Sequence, residues 1–164
     1  RDRGYDWVGD DLRGRVEGVE NGRRFSLEFA IVHCSADPSA GPGAAVPRMQ
    51  KLETVVRMAV PAADGRALVG KPFFRNAIHD PLRGGQPVEL GEPAFDQTYQ
   101  VLAPPDQDLG WLDAGVRQSL LSLEARELRL DQGELSLNLD RMDPDPARLD
   151  AAVQLVSGLA DRLE

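Results

Sequence analysis

The sequence predicts an α+β fold: a mostly antiparallel sheet with two helices, at about 109–123 and 146–163, packed on one face. Two observations carry this. Several short runs alternate apolar and polar residues and are separated by turn dipeptides such as Asn21-Gly22 and Asp64-Gly65. Two later runs instead place leucines and valines at three- and four-residue steps, the period of a helix with one apolar side.

The elements follow in order. Residues 1–11 read as an acidic N-terminal arm around Tyr5 and Trp7. An indole is costly to leave in water, so Trp7 is expected to dock on this domain or on a partner. Leu12 to Cys34 is a hairpin. Asn21-Gly22 suits the two-residue type I′ turn, whose central residues both need positive φ. That turn sets Gly18 opposite Phe25, Val16 opposite Leu27, Gly14 opposite Phe29 and Leu12 opposite Ile31. Rings facing glycines cover backbone that the glycines leave bare. Phe25, Leu27, Phe29 and Ile31 share one face and Ser26 and Glu28 the other, so one face is buried and one is wet.

Residues 35–47 form an irregular Gly/Pro/Ala/Ser loop. Lys51 to Val60 is a third strand, stopped by Pro61, and Arg66 to Val69 a short return strand. Four antiparallel strands are thus expected in the first seventy residues. Residues 70–91 are a second irregular loop, with Phe73, Phe74 and Ile78 among prolines and glycines and a short strand at Val88 to Leu90. Loops of this length are more often functional than idle.

Phe95 to Leu102 reads as a strand with Phe95, Gln97, Tyr99 and Val101 on one face, ended by Pro104-Pro105. Asp106 and Asp108 are N-cap candidates for the helix that follows, because a carboxylate there accepts orphan amides and opposes the helix dipole. Leu109, Leu112, Val116, Leu120 and Leu123 make its apolar stripe. Glu127 to Asp140 is a second hairpin turning at Gln132-Gly133. Asp143-Pro144-Asp145-Pro146 opens the terminal helix, with a proline where no amide donor is needed. Gly158 within it costs about 1 kcal/mol relative to Ala and points to a close approach by a neighbour.

The 164 residues form a single domain, large enough to bury a core without disulfides. With 41% hydrophobic and 28% charged residues the chain is globular rather than disordered. Its net charge of -8 argues against nucleic acid as a partner, since phosphate binding needs a basic surface. An anionic membrane surface is disfavoured for the same reason, so any membrane contact is indirect, through an anchor or a partner.

The motif search excludes several chemistries. No G-x-S-x-G elbow is present. The glycines near Lys71 match neither phosphate-binding pattern. One cysteine, Cys34, and two histidines, His33 and His79, are a thin supply for a metal, and His79-Asp80 lacks ligand spacing. No cofactor and no metal site are expected. The 27 acidic residues always offer carboxylate pairs, which makes any chosen pair uninformative. Tyr5, Trp7, Phe73, Phe74, Ile78 and His79 stand outside the fold's own needs and are the candidate partner-binding residues. The competing reading is that the apolar ones plug an end of the sheet.

A resemblance joins these elements. Gly91-Glu92-Pro93-Ala94-Phe95-Asp96, then Tyr99 and Val101, Leu109 to Leu123, Leu128 to Leu139 with its Asp-Gln-Gly turn, and the terminal helix resemble an uncharacterised group of bacterial proteins. In that group a soluble α+β domain follows membrane-spanning helices. The early hairpin, Gly14-Arg15-Val16-Glu17-Gly18 to Phe29, is similar too, whereas residues 35–50 and 70–90 depart from the outline. The resemblance implies no activity. It implies that Arg1 lies just after a membrane anchor, making this the soluble part of a membrane-anchored bacterial protein.

The expected function is a non-enzymatic interaction or accessory domain of a larger, membrane-associated assembly, with a protein partner. It rests on the missing catalytic signature, the start at Arg1 and the Gly/Pro loops. One alternative is a small-molecule or lipid-binding carrier, which needs an enclosed apolar cavity of several hundred Å³. Another is a hydrolase whose site is built from scattered acids and His79.

Overall fold

The computed structural model describes residues 6–10, 13–34, 49–61, 63, 65–71, 85–139 and 145–163, the backbone alone at 6–10, 13, 30–34 and 49–52. The strands are β1 (Asp6–Asp10), β2 (Arg13–Glu20), β3 (Arg23–Cys34), β4 (Met49–Ala59), β5 (Ala67–Gly70), β6 (Gln86–Val88), β7 (Gln100–Ala103), β8 (Ala125–Asp131) and β9 (Glu134–Leu139). The helices are α1 (Pro93–Thr98), α2 (Ala114–Ser122) and α3 (Pro146–Leu163). All nine strands join one sheet in the order β1-β2-β3-β4-β9-β8-β5-β7-β6, and every pairing is antiparallel.

Two turns set the register. Asn21 and Gly22 have φ of 51° and 79°, and Gln132 and Gly133 have 51° and 75°. These positive values give the twist that lets two strands fold back directly on each other. Gly18 pairs with Phe25, Val16 with Leu27 and Gly14 with Phe29, as the Asn-Gly turn predicts. The expected pairing of Leu12 with Ile31 involves Leu12, which lies outside the described residues, as does Asp64 of the second turn.

Because strand side chains alternate, the register lines up two opposite faces. On the inner face Phe25, Met58, Leu135 and Leu130 stand in successive strands, and Leu27, Val56, Leu137 and Leu128 form the next row. All eight are buried, and the helices cover them. α3 lies over β2, β4 and β9, and α2 packs on β8 and α1. α3 supplies Val153, Val156, Leu159 and Ala160, and α2 supplies Val116 and Leu120. At roughly 1.5–3 kcal/mol for each fully buried large apolar side chain, this layer is the main source of cohesion.

The helices are also tied by polar contacts. Asp113 caps α2 by accepting from the Val116 amide at 2.9 Å, and Arg162 of α3 reaches the same carboxylate at 2.6 Å. At the other end Arg148 of α3 donates to the Leu123 carbonyl. α2 and α3 therefore run antiparallel, fastened at both ends. The Val116 amide, with the Arg162 cation, holds the Asp113 carboxyl below the usual carboxylate range against an opposing desolvation. Asn21, at the hairpin tip, donates to the buried Ser157 hydroxyl at 3.1 Å, and Arg23 pairs with Asp161 at 3.3 Å.

Several expectations change. Residues 6–10 of the N-terminal arm form a strand, β1, so five strands fall among the described residues up to Gly70. Phe95 to Thr98 is helical, not extended. Pro93 starts α1, and the Asp96 carboxylate accepts from the Leu90 and Glu92 amides at 3.3 and 3.0 Å. Phe95 and Tyr99, four residues apart, then stack with ring centroids 5.1 Å apart. The buried Tyr99 hydroxyl lies 2.9 Å from the Leu120 carbonyl and 2.7 Å from that of Ala125. Burial, with the Glu124 charge, pushes its pKa up to about 12.

The helix expected from Leu109 begins at Ala114. Asp113, not Asp106 or Asp108, is its cap; Asp108 instead accepts from the Gly110 amide in the preceding turn at 2.8 Å. The strand expected at Val88 to Leu90 lies two residues earlier, as β6. Gly158 has no close neighbour, because a Cβ placed there would meet nothing within 4 Å.

Candidate functional site: the outer face of the sheet

Among the described residues, three helices lie on one side of the sheet and none on the other. The residues of that other side are those that alternate out of the core: Arg15 and Glu17 of β2, Ser26 and Glu28 of β3, Arg57 of β4, Ser136 and Asn138 of β9, and Glu127 and Arg129 of β8. The strand pattern dictates this, since most of the residues that alternate with the core positions are polar; Val19 and Val55 are exceptions.

The charges are ordered as a ladder across the strands. Arg15 pairs with Glu17 and stands 4.0 Å from Glu28. Arg57 reaches Glu28 at 3.4 Å and Glu134 at 2.9 Å. Farther along, Asp131 receives Arg66 at 3.1 Å and Arg129 at 2.5 Å. Most of these side chains are a third or more exposed, so each pair is worth under about 1 kcal/mol. An open depression of about 660 Å³ lies along the ladder, lined by Arg15, Glu28, Arg57 and Glu134 among others. Val19 on its rim is 58% exposed, an unusual setting for a large aliphatic residue in this molecule.

A second cluster on the same face is different in kind. Glu53 of β4 is buried, only 3% exposed, and the next residue on its side of the strand, Val55, is buried as well. It pairs with Arg126 and accepts from Asn138 Nδ2 at 2.7 Å. Arg126 reaches it because β8 carries an irregularity between Ala125 and Glu127, which adds one residue against β9. The neighbouring Glu127 stands opposite Asn138. Desolvation raises its pKa, despite the opposing charges of Arg129 and Arg126.

Another open depression, of about 530 Å³, lies beside the start of α2 and the end of α3, between Gln107, Trp111, Asp113 and Arg162. Neither depression is an enclosed apolar cavity of the kind a lipid carrier requires. Among the described residues no group of three or more His, Cys, Asp or Glu could hold a metal ion, and no helix is long and apolar enough to cross a membrane.

The candidates named from sequence are not gathered by these residues. Tyr5, Phe73, Phe74, Ile78 and His79 lie outside the described residues. Trp7 stands in β1 opposite Val16, described there in its backbone alone. The hydrolase reading depended on His79 and stays an expectation. The cluster at Glu53 was missed, because alternation places Glu53 on the polar side without revealing its burial. One signal was available: Ala125, Leu128 and Leu130 are spaced by three and then two, and that break in alternation marks the bulge.

No family model and no curated protein matches the chain. Among solved structures, it is similar to the crystal structure of the mycobacterial trehalose monomycolate transport factor A. The TM-score is 0.61 at 12% sequence identity, covering 98% of this chain and 88% of that one. A likeness at this identity concerns the fold.

Proposed function

We propose that the protein is a non-enzymatic interaction or accessory domain of a larger, membrane-associated bacterial assembly, and that it meets a protein partner through the outer face of its sheet. The observation that carries this reading is the asymmetry of the sheet. One face is filled by three helices, while the other presents an ordered charge ladder along an open depression. Such arrays of weak, exposed ion pairs add little to folding but can steer and register a partner. The shared fold supports an accessory role, since the neighbouring structure is named as a transport factor rather than for a reaction. The membrane context rests on the resemblance to the bacterial group whose α+β domain follows membrane helices.

The test is chemical crosslinking in native cells, followed by gentle extraction and sizing. The expected outcome is a discrete complex larger than the protein itself, with crosslinks at the outer face that disappear when Glu28 and Arg57 are both reversed in charge. A monodisperse monomer without crosslinked partners would count against the proposal.

A further inference from the structure

The buried cluster on the outer face has an unfilled hydrogen-bonding position. Asn138 spends its amide donor on Glu53, at 2.7 Å. Its other polar atom, Oδ1, is buried and accepts nothing. A buried acceptor left unsatisfied costs about 1–3 kcal/mol, so this position calls for a donor.

The residue directly across the strand pair is Glu127. Directly opposed side chains have Cβ atoms about 4.5–5.5 Å apart, well within the reach of a glutamate. An ionised Glu127 has only acceptors and cannot serve Oδ1; a protonated one has a hydroxyl that can.

Among the described residues, the charged groups around Glu127 are engaged elsewhere. On its own strand, Arg126 pairs with Glu53 and Arg129 with Asp131. On β5 the opposed residue is Gly70, which brings no charge, and the Lys71 amine beyond it donates to the Glu124 carbonyl at 3.1 Å. On β4 the residue opposite Asn138 is the uncharged Val55; two residues along lies the Glu53 carboxylate that Asn138 reaches, whose negative charge favours a neutral neighbour.

We propose that the Glu127 carboxyl, in its protonated form, donates to the open Oδ1 of Asn138. It thereby completes a relay from Glu127 through the Asn138 amide to the Glu53 carboxylate and makes this patch of the outer face responsive to pH. The burial that raises the pKa of Glu127 acts in the same direction. Polarisation through the amide strengthens both bonds when the proton is present. Loss of the proton sets a carboxylate against Oδ1 and, one residue away, against a second carboxylate.

The sign of the linkage follows. A carboxyl whose folded pKa exceeds its unfolded one contributes stability that is fully present below the unfolded value and lost as pH rises through the folded value. This interaction therefore strengthens toward mildly acidic pH.

The experiment is a pH titration of the full chain by NMR, following the Glu127 carboxyl carbon and the Asn138 side-chain amide in the wild type and in Glu127→Gln. Glutamine keeps a donor for Oδ1 but has no titrating proton, so this variant preserves the fold. The expected result is a Glu127 midpoint above the ordinary glutamate value, with the Asn138 amide shifting at the same midpoint. In Glu127→Gln that Asn138 transition is absent, and stability lacks the decline that wild type shows across the same interval. A Glu127 midpoint at or below the ordinary value overturns the proposal. So does an Asn138 amide that stays flat while Glu127 titrates, since burial alone would then explain the shift.

Discussion

The two faces of one sheet solve different problems with the same strands. In β9, Leu135, Leu137 and Leu139 point inward and are fully buried, while Glu134, Ser136 and Asn138 point outward. The inner residues are interchangeable in kind: large, aliphatic and packed under helices. The outer residues are individual in kind: Glu134 pairs with Arg57 and Asn138 donates to Glu53 across the strands. Folding cohesion therefore sits on one side, and what remains for recognition sits on the other. The Glu53 cluster breaks this division, because it places a buried charge, beside the buried Val55, on the face that carries the exposed ladder.

Substitutions along a single strand test the comparison most strongly. Leu137→Ala is expected to cost about 2–5 kcal/mol, the range for removing a buried leucine. Ser136→Ala, next to it in sequence and on the opposite face, should stay within about 0.5 kcal/mol. Urea melts of both variants measure the difference. Comparable losses would mean that the outer face is as much a core as the inner one.

A smaller effect of opposite sign is expected on the helix layer. Gly158→Ala should stabilise the protein by about 1 kcal/mol, because helix propensity improves and the added methyl meets nothing within 4 Å. A higher melting temperature confirms that α3 packs without needing this glycine; a lower one restores the close approach that the sequence suggested. The smallest effect belongs to the ladder. Arg57→Ala should cost under about 1 kcal/mol at low salt, and less as salt rises and screens the pairs. A loss of several kcal/mol that persists in high salt would make the ladder structural.

The sheet was readable in the sequence wherever local chemistry decides it. Asn21-Gly22 admits one tight turn, and that turn carries the whole register of β2 and β3. Gln132-Gly133 does the same for β8 and β9, and Pro146 marks the start of α3. Legibility failed where a side chain competes with the pattern. Phe95, Gln97, Tyr99 and Val101 alternate like a strand, yet Pro93 and the two amides bound by Asp96 favour one and a half turns of helix. Asp113 displaced Asp106 and Asp108 as the cap because its carboxylate lies within reach of the Val116 amide. The outer face was visible as the polar half of each strand, but its interior was not. The burial of Glu53 depends on Arg126, far away in sequence and brought close by a bulge that only a broken alternation hints at.

Hydroxyl-radical footprinting of the protein within its native assembly, compared with the isolated protein, tests the central claim most directly. The account predicts protection concentrated on the outer face around Arg15, Val19, Glu28 and Arg57, with the exposed side of α3 unchanged. Protection confined to α3, with the outer face as reactive as in the free protein, would contradict it.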